Sequence, residues 1–358
     1  MKYTFEITIA GCSTNCAHCY VDGGPAPAMI LEDFKLCVKR LRPVLGRLEG
    51  DISVTLGNEM FCHPNLVDIL EICKEQLSPY VSFRDFVPTT GLALLSRKDF
   101  TAVLERLQDL GAAGFMLALH GDRHNHDQVT QTCGSYDGLF RAADMLAHNG
   151  FKLLWNLMVS RPLAQDIHSV LNRISPYHAS ARLTVPLYVP TARMRGFQSF
   201  RADYEACIKI AHAAEGHGIP SASLVQHCVE HSETAVLQDL TTHGFDYRNA
   251  LRRAPNWVFF HITQELDLYY GNVGAHTQYL GNLRSLDVDR LSSMLASLGQ
   301  NYDWNAFYDD SIWNHLCENL FPLCFKPNNF VYPSKADCLY AWLDHINIPS
   351  KLLPGSGK

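Results

Sequence analysis

The first segment of the chain alternates between apolar and polar positions. Tyr3, Phe5, Ile7 and Ile9 take every second place, a period that is typical of a β-strand with one buried face. Short β-rich runs and helical patterns then alternate along much of the chain. They predict further strands at 51–56, 81–87, 114–119, 151–159 and 181–187, and helices at 31–46, 65–76, 98–110, 136–149, 164–174 and 202–216.

This order of elements indicates the fold class. Strands that alternate with helices form right-handed βαβ units around a parallel sheet. Six such units predict an α/β fold, a partial (β/α)6 barrel of the TIM type. In barrels of this type the chemistry lies at the carboxyl ends of the strands. The loops that follow the predicted strands are therefore the expected positions of a functional site.

The loop after the first predicted strand holds three cysteines. Cys12, Cys16 and Cys19 lie within one short run, and soft thiolates select zinc, copper(I) or iron–sulfur clusters. A closed structural zinc site needs a fourth ligand, and no Cys or His pair follows at zinc-finger spacing. His18 lies between two of the cysteines, where reaching the same metal is sterically awkward. Three buried cysteines without a metal are the remaining alternative, but structural cysteines have no reason to share one loop.

Composition and charge narrow the class of protein. The 358 residues are 47% hydrophobic and 18% charged, which is ordinary for a globular protein with a sizeable core. The net charge is −6 and the basic residues are scattered, which argues against a nucleic-acid partner. No apolar run is long enough to span a membrane, and no secretion signal is recognisable. Together with twelve cysteines, this predicts a cytoplasmic protein without a membrane partner, whose thiols are free or bind metal.

The spacing C-x3-C-x2-C resembles the signature of the radical S-adenosylmethionine (SAM) superfamily. The resemblance implies that Cys12, Cys16 and Cys19 ligate three irons of a [4Fe–4S] cluster and that SAM chelates the fourth. It also implies reductive cleavage of SAM to a 5′-deoxyadenosyl radical, with electrons from a donor such as flavodoxin or ferredoxin. The expected cofactors are therefore a [4Fe–4S] cluster and SAM.

Motifs after later strands extend the resemblance. The run 57–60, Gly-Asn-Glu-Met, is similar to the family's Gly-Gly-Glu-Pro motif, although Asn58 and Met60 replace Gly and Pro and put the local turn in question. The run 89–91, Thr-Thr-Gly, resembles the Thr-Asn-Gly after the third strand. The run 119–121, Leu-His-Gly, resembles the stretch after the fourth strand, with Ala118 in place of the usual Ser.

The same resemblance implies which residues contact SAM. Glu59 is expected to bind its amino group, and His18 and Tyr20 its adenine. The full set of expected SAM contacts is His18, Tyr20, Gly57, Asn58, Glu59, Thr90, His120, Asn156 and Leu187. For His120 and Asn156, ordinary polar groups at a barrel mouth are an equal alternative, and a core leucine would look the same as Leu187.

The segment 257–298 resembles the twitch or SPASM extension of this superfamily, with two strands, a turn and an acidic helix. A cysteine expected near residues 270–272 is absent, and Cys317, Cys324 and Cys338 do not match the SPASM spacing. An auxiliary cluster is therefore not expected, although these three cysteines leave it open. The predicted domains are a radical SAM barrel at 1–225, a twitch-like α+β extension at 226–348 and a disordered tail at 349–358.

Two further features bear on the substrate. Arg193 and Arg195 follow the sixth strand, and their guanidinium groups suit a carboxylate or phosphate of a substrate, unless the loop is merely solvated. Cys133 and Cys228 are candidate donors of a hydrogen atom to a substrate radical, as in certain radical epimerases. Each is otherwise a bystander.

These features favour a radical SAM enzyme that acts on a small polar metabolite. A sugar, aminocyclitol or nucleoside-type natural-product intermediate is the expected substrate, and the outcome is expected to be redox-neutral, such as epimerisation, elimination or decarboxylation. Modification of a ribosomally made peptide is a second hypothesis. A metal-binding or sensor protein without catalysis is a third, of another class.

Overall fold

The computed structural model describes residues 2–19, 21, 23–81, 83, 86–188, 192–242, 257–271, 278–301 and 328–345. The first part of the chain alternates strands and helices as predicted. Its elements are β1 (Lys2–Thr8), α1 (Leu31–Leu45), β2 (Asp51–Gly57), α2 (Leu66–Gln76), β3 (Phe86–Thr89), α3 (Leu92–Leu95), α4 (Phe100–Asp109), β4 (Gly114–Leu119), α5 (Arg123–Thr130), α6 (Ser135–His148), β5 (Lys152–Met158), α7 (Arg161–Ile174) and β6 (Ser180–Thr184).

Helices and a small meander make up the rest of the described chain. These elements are α8 (Ala192–Phe197), α9 (Tyr204–Glu215), α10 (Ala222–His231), α11 (Glu233–Thr242), β7 (Trp257–Ile262), β8 (Asp267–Tyr270), β9 (Gln278–Asn282), α12 (Val288–Asn301) and α13 (Lys335–His345). None of the helices within the described ranges is long and apolar enough to cross a membrane.

The first six strands follow one another in space as they do in sequence. Strands β3, β4, β5 and β6 form a parallel sheet in that order, and β1 pairs in parallel with β2. A parallel bridge between Val54 of β2 and Val81 connects the first sheet to the segment that leads into β3. This arrangement is the partial (β/α)6 barrel predicted from the sequence, and it confirms the α/β fold class.

The two faces of β1 have different environments. Tyr3, Phe5 and Ile7 are buried in the main hydrophobic core. Thr4 and Thr8 lie on the other face: Thr4 Oγ1 lies 3.0 Å from Ser53 Oγ, and Thr8 Oγ1 lies 2.8 Å from His261 Nε2. The structure therefore confirms the predicted alternation, and the polar face of β1 lines the inside of the barrel.

Some boundaries differ from the sequence prediction for local reasons. Strand β6 ends at Thr184 rather than at 187, because Pro186 has no N–H for a further ladder bond. In the predicted strand 81–87, only 86 and 87 belong to β3, and 82, 84 and 85 lie outside the described residues. Helix α5 was not predicted, since its polar sequence has no apolar stripe; Asp122 caps it by accepting a bond from the Asn125 N–H at 3.2 Å.

The C-terminal meander extends the barrel sheet at its other edge. Strand β7 pairs in parallel with β1, and β8 and β9 follow antiparallel. The strands thus lie where the sequence predicted an extension. Helix α10 runs through residues 225 and 226, where the domain boundary was predicted, and the division into domains stays a prediction. The predicted tail at 349–358 lies outside the described residues.

Candidate active site

A cavity of about 660 Å³ opens at the carboxyl ends of the barrel strands. Each of the six strands contributes a loop or a last residue to its wall. The lining runs from the cysteine loop after β1, through the ends of β2, β3 and β4, to the residues that end or follow β5 and β6. The cavity therefore lies where the chemistry of a TIM-type barrel is expected.

The cysteine loop is held in place by its backbone. The Cys12 N–H donates to the Gly24 carbonyl at 2.7 Å, which closes the loop on itself. The N–H groups of Asn15 and Ala17 donate to the last carbonyls of α5, on Thr130 and Val129, at 3.1 and 2.8 Å. Helix α5, although polar in sequence, thus serves as the platform on which the loop rests.

Three thiols of this loop face the cavity. The hydroxyl of Thr14 lies 3.3 Å from Cys12 Sγ and 3.2 Å from Cys16 Sγ, and the Gly23 N–H donates to Cys19 Sγ at 3.1 Å. Burial, and then repulsion from the other two thiolates, raises the pKa of Cys16 to about 12. Thiols in such surroundings stay protonated in water at neutral pH, and a bound metal cation displaces their protons into the solvent. The donor set fits an iron–sulfur cluster.

Gly11 is required by the close packing of this loop. A Cβ atom at Gly11 would lie 2.4 Å from both the Ala26 nitrogen and the Gly24 carbonyl oxygen, which are backbone atoms that cannot turn aside. We expect Gly11→Ala to lower the free energy of unfolding by about 1–3 kcal/mol and to impair iron uptake. Denaturant unfolding and iron analysis of the reconstituted protein measure the two effects.

The matched control for this prediction is Gly196→Ala. A Cβ atom at Gly196, in α8, would meet nothing within 4 Å, so this variant should retain both stability and iron. Equal unfolding free energies for the two variants would show that the loop can relax around a side chain at position 11.

Glu59 is a buried carboxylate at the end of β2. Its Oε1 accepts a bond from the Thr89 hydroxyl at 3.0 Å and its Oε2 from the Thr90 N–H at 2.6 Å. Burial raises the pKa of Glu59 to about 7 despite these bonds. The run 89–91 thus fixes the orientation of this carboxylate, which lines the cavity beside the cysteine loop.

The turn before Glu59 keeps the backbone conformation that glycine favours. Asn58 has φ of 58°, and Asn tolerates this left-handed region better than most residues. The change from Gly to Asn is therefore compatible with a tight turn. Two side chains that follow these motifs have structural partners: His63 Nε2 lies 2.6 Å from the Met29 carbonyl oxygen, and Asp127 accepts bonds from the backbone N–H groups of Gly134 and Tyr136 at the start of α6.

Three histidines stand in a row along one wall, with His120 and His126 buried and His18 half-buried. The ring centroids of His18 and His120 are 4.5 Å apart, and those of His120 and His126 are 5.2 Å apart. Burial lowers the pKa of His18 and of His126 to about 4. Burial, together with the neighbouring rings of His18 and His126, lowers the pKa of His120 well below its ordinary value. These rings are therefore neutral at pH 7. The ligand atoms of Cys16, His18 and His120 lie within 4.8 Å of one another and offer a second way to hold a metal.

The adjacent wall, formed by β5 and β6, carries a polar group centred on Asn156. Its Oδ1 accepts bonds from Arg182 Nε at 2.9 Å and from the Thr184 hydroxyl at 2.5 Å. Arg182 Nη2 also contacts Met116 Sδ at 2.9 Å. Asn156 is thus committed to neighbouring side chains on β6, and Arg182 is the residue that brings a positive charge to this wall.

Unpaired polar atoms are concentrated in this cavity. Five of its lining residues have a buried side-chain atom without a hydrogen-bond partner: Glu6, His18, Asn58, His120 and His126. Buried polar atoms in native proteins are almost always paired with protein, water or ligand. Such a group of orphans is expected where a polar ligand binds, and it fits SAM in this cavity.

The structure brings the predicted site residues together. The cavity lining includes Cys12, Cys16, Cys19, His18, Gly57, Asn58, Glu59, Thr90, His120, Asn156 and Leu187. Tyr20 lies outside the described residues. The individual roles of these residues stay predictions, and the cavity that they line lies at the carboxyl ends of the strands.

The candidate hydrogen donors and the candidate substrate-binding arginines are not among the described residues that line the cavity. Cys133 is exposed. Cys228 is buried on α10, where its thiol forms a hydrogen bond with the free thiol of Cys207. Neither residue is among the described residues that line the cavity. Their role as hydrogen donors stays a prediction. Arg193 and Arg195 belong to α8, with Arg195 exposed, and nothing is described of the Arg193 side chain.

The cysteines considered for an auxiliary cluster are only partly described. Cys338 is fully buried on α13, and Cys317 and Cys324 lie outside the described residues.

The sequence analysis did not identify some of the residues that line the cavity, above all Glu6 and Arg182. The signal for Glu6 was present, since it is a charged residue on the polar face of an otherwise alternating strand.

Comparison with known proteins supports the assignment of the fold. No protein-family model matches the sequence, and no curated protein matches it. Among solved structures, native anSMEcpe with bound AdoMet and the Cp18Cys peptide is similar, with a TM-score of 0.51 and 12% identity over 96% of each chain. SuiB of Streptococcus suis bound to S-adenosylmethionine has a TM-score of 0.50 and 12% identity over 82% of this chain and 68% of that one.

A third similar structure is native anSMEcpe with bound AdoMet alone, with a TM-score of 0.51 and 13% identity over 96% of each chain. All three structures were determined with bound AdoMet or S-adenosylmethionine. At this level of identity the likeness establishes the fold. The chain therefore shares the fold of these S-adenosylmethionine-bound structures, as the resemblance of its cysteine spacing implied.

Proposed function

We propose that this protein is a radical SAM enzyme that acts on a small polar metabolite. The main supporting observation is that one cavity at the barrel mouth gathers three loop thiols, the oriented carboxylate of Glu59 and a concentration of unpaired polar atoms. In this proposal Cys12, Cys16 and Cys19 hold a [4Fe–4S] cluster. The cluster, when bound with SAM, supplies the reducing electron and the 5′-deoxyadenosyl radical.

The chain's own residues position and shield the reactants. Glu59 offers a carboxylate to the amino group of SAM, and Thr89 and Thr90 fix its direction. The neutral rings of His18 and His120, tilted by 52° to each other, supply a water-poor aromatic wall suited to an aromatic base. Excluding water from such a cavity protects a reactive intermediate from side reactions.

The size of the cavity is that of a small-molecule site, which SAM would share with the substrate. A volume of about 660 Å³ falls within the range of small-molecule sites, about 300–1,000 Å³. The structural neighbours include proteins bound to peptides, Cp18Cys in anSMEcpe and SuiA in SuiB, and peptide modification remains the second candidate function. The proposed substrate site includes Arg193 and Arg195. The proposed reaction has a redox-neutral outcome.

The test is reductive cleavage of SAM by the protein reconstituted with iron and sulfide under anaerobic conditions. With dithionite, we expect methionine and 5′-deoxyadenosine in equal amounts, measured by liquid chromatography and mass spectrometry. Deuterium from a labelled substrate should then enter 5′-deoxyadenosine. A reconstituted protein that binds iron but neither binds nor cleaves SAM would instead support the metal-binding or sensor hypothesis.

A further inference from the structure

A second carboxylate lies inside the barrel, apart from Glu59. Glu6 belongs to β1, on the strand face that also carries Thr4 and Thr8, and it pairs in register with Thr55 of β2. It lines the same cavity as the cysteine loop. Glu6 precedes the end of β1 at Thr8, and the cysteine loop follows that end. Glu6 therefore lies deeper in the barrel than the loop.

Gly57 makes room for this side chain. A Cβ atom at Gly57 would lie 2.7 Å from Glu6 Cγ and 2.8 Å from Glu6 Oε1. The carboxylate therefore occupies the space that the glycine leaves open. A side chain at position 57 would displace the Glu6 carboxylate. Gly57, the first residue of the motif at 57–60, therefore allows Glu6 to occupy this position.

Glu6 lacks the partners that a buried carboxylate needs. Its Oε1 is buried without a hydrogen bond. The other charged groups of the cavity are committed elsewhere, since Glu59 is bonded to Thr89 and Thr90 while Arg182 is bonded to Asn156. Burial alone raises the pKa of Glu6 to about 7. An unpaired buried carboxylate costs stability, which a structural role would not explain.

We propose that Glu6 binds a protonated amino group of the substrate inside the barrel. This inference rests on the proposed function and adds the chemical class of the substrate, a polar molecule that carries a primary or secondary amine. Glu59 already offers a carboxylate to the amino group of SAM, so a second anionic group addresses a second cation. A hydroxyl group would also donate to Glu6, but only a cation compensates its buried charge.

The experiment measures binding of matched amine and hydroxyl probes to the reconstituted protein with SAM and without reductant. The probes are glucosamine and glucose, and the method is isothermal titration calorimetry at about pH 7, where the amino group of glucosamine is protonated and a share of Glu6 is ionised. We expect glucosamine to bind at least about tenfold more tightly than glucose. Glu6→Gln should abolish this difference without changing SAM affinity, and Glu75→Gln, an equal charge change at an exposed position, should retain it.

The outcomes separate this inference from the proposed function. Equal binding of the two probes, no binding of glucosamine, or a preference that survives Glu6→Gln would overturn the role of Glu6, even in a protein that cleaves SAM. Conversely, a protein that prefers glucosamine through Glu6 but does not cleave SAM with dithionite would support the amine site and contradict the radical SAM function. The same titration of the protein without SAM shows whether the amine site depends on the cofactor.

Discussion

We expect the triple variant Cys12→Ala/Cys16→Ala/Cys19→Ala to lose all of the about four irons of the reconstituted protein and all SAM cleavage. These three thiols face one cavity and are tied together through Thr14 and the Gly23 N–H. With the thiols removed, no sulfur remains on the loop to hold a cluster. Iron analysis, the visible absorption of the cluster and the yield of 5′-deoxyadenosine measure the loss.

Two controls make this prediction specific. Cys133→Ala removes an exposed thiol outside the cavity and should leave iron content and cleavage unchanged. His120→Ala removes one member of the alternative set formed by Cys16, His18 and His120. If His120→Ala lost the metal while the double variant Cys12→Ala/Cys19→Ala, which leaves Cys16 in place, kept it, the metal would be held by Cys16 and the two histidines, and the cluster assignment would be wrong.

The parts of the fold that were predictable have a strong local pattern. The alternation from Tyr3 to Ile9 reflects a strand with one face in the core, and the structure buries those residues. Helices such as α6 and α7 combine an apolar stripe with polar residues on the other face, and they lie within a few residues of their predicted bounds. Burial of one face determines such elements locally, so the sequence carries the signal.

The parts that were not predictable depend on contacts between distant segments. Helix α5 has no apolar stripe and is stabilised by its cap at Asp122 and by the cysteine loop that rests on it. Glu59 is oriented by Thr89 and Thr90, thirty residues further along the chain. Nothing in the local pattern around Glu6 shows that Gly57 leaves space for its carboxylate. Tertiary packing decides each of these features, and it overrides local propensity.

The cysteine loop was predicted from two independent features of the sequence. The spacing of Cys12, Cys16 and Cys19 pointed to the family, while the loop's position after β1 followed from the alternation pattern alone. The structure adds that the loop is anchored at both α5 and Gly24. A ligand set in which every member belongs to one anchored loop is pre-organised, because little conformational entropy remains to be lost on binding.

The second large effect is expected for Glu59→Gln, which should weaken SAM binding by about ten- to a hundredfold, since a charge-assisted hydrogen bond contributes about 1.5–3 kcal/mol. Burial raises the pKa of Glu59 to about 7, above its ordinary value. Ionisation of this group therefore opposes folding, and its contribution to the free energy of unfolding falls as the pH rises from about 4.5 to about 7. A ligand ammonium group reverses that penalty because it pairs with the carboxylate form.

The same shift gives SAM binding a defined pH dependence. Below about pH 7 the carboxyl group of Glu59 must release a proton before it can accept a bond from the amino group of SAM, so the affinity should rise by up to about tenfold per pH unit and level off above pH 7. Equilibrium binding of SAM to the reconstituted protein between about pH 5.5 and 8.5 measures the curve. The affinity of Glu59→Gln should lose this dependence, whereas Glu75→Gln should retain it. An unchanged affinity in Glu59→Gln, or an unchanged pH curve, would mean that the amino group of SAM binds elsewhere in the cavity, because glutamine keeps the shape of the side chain and removes only its charge.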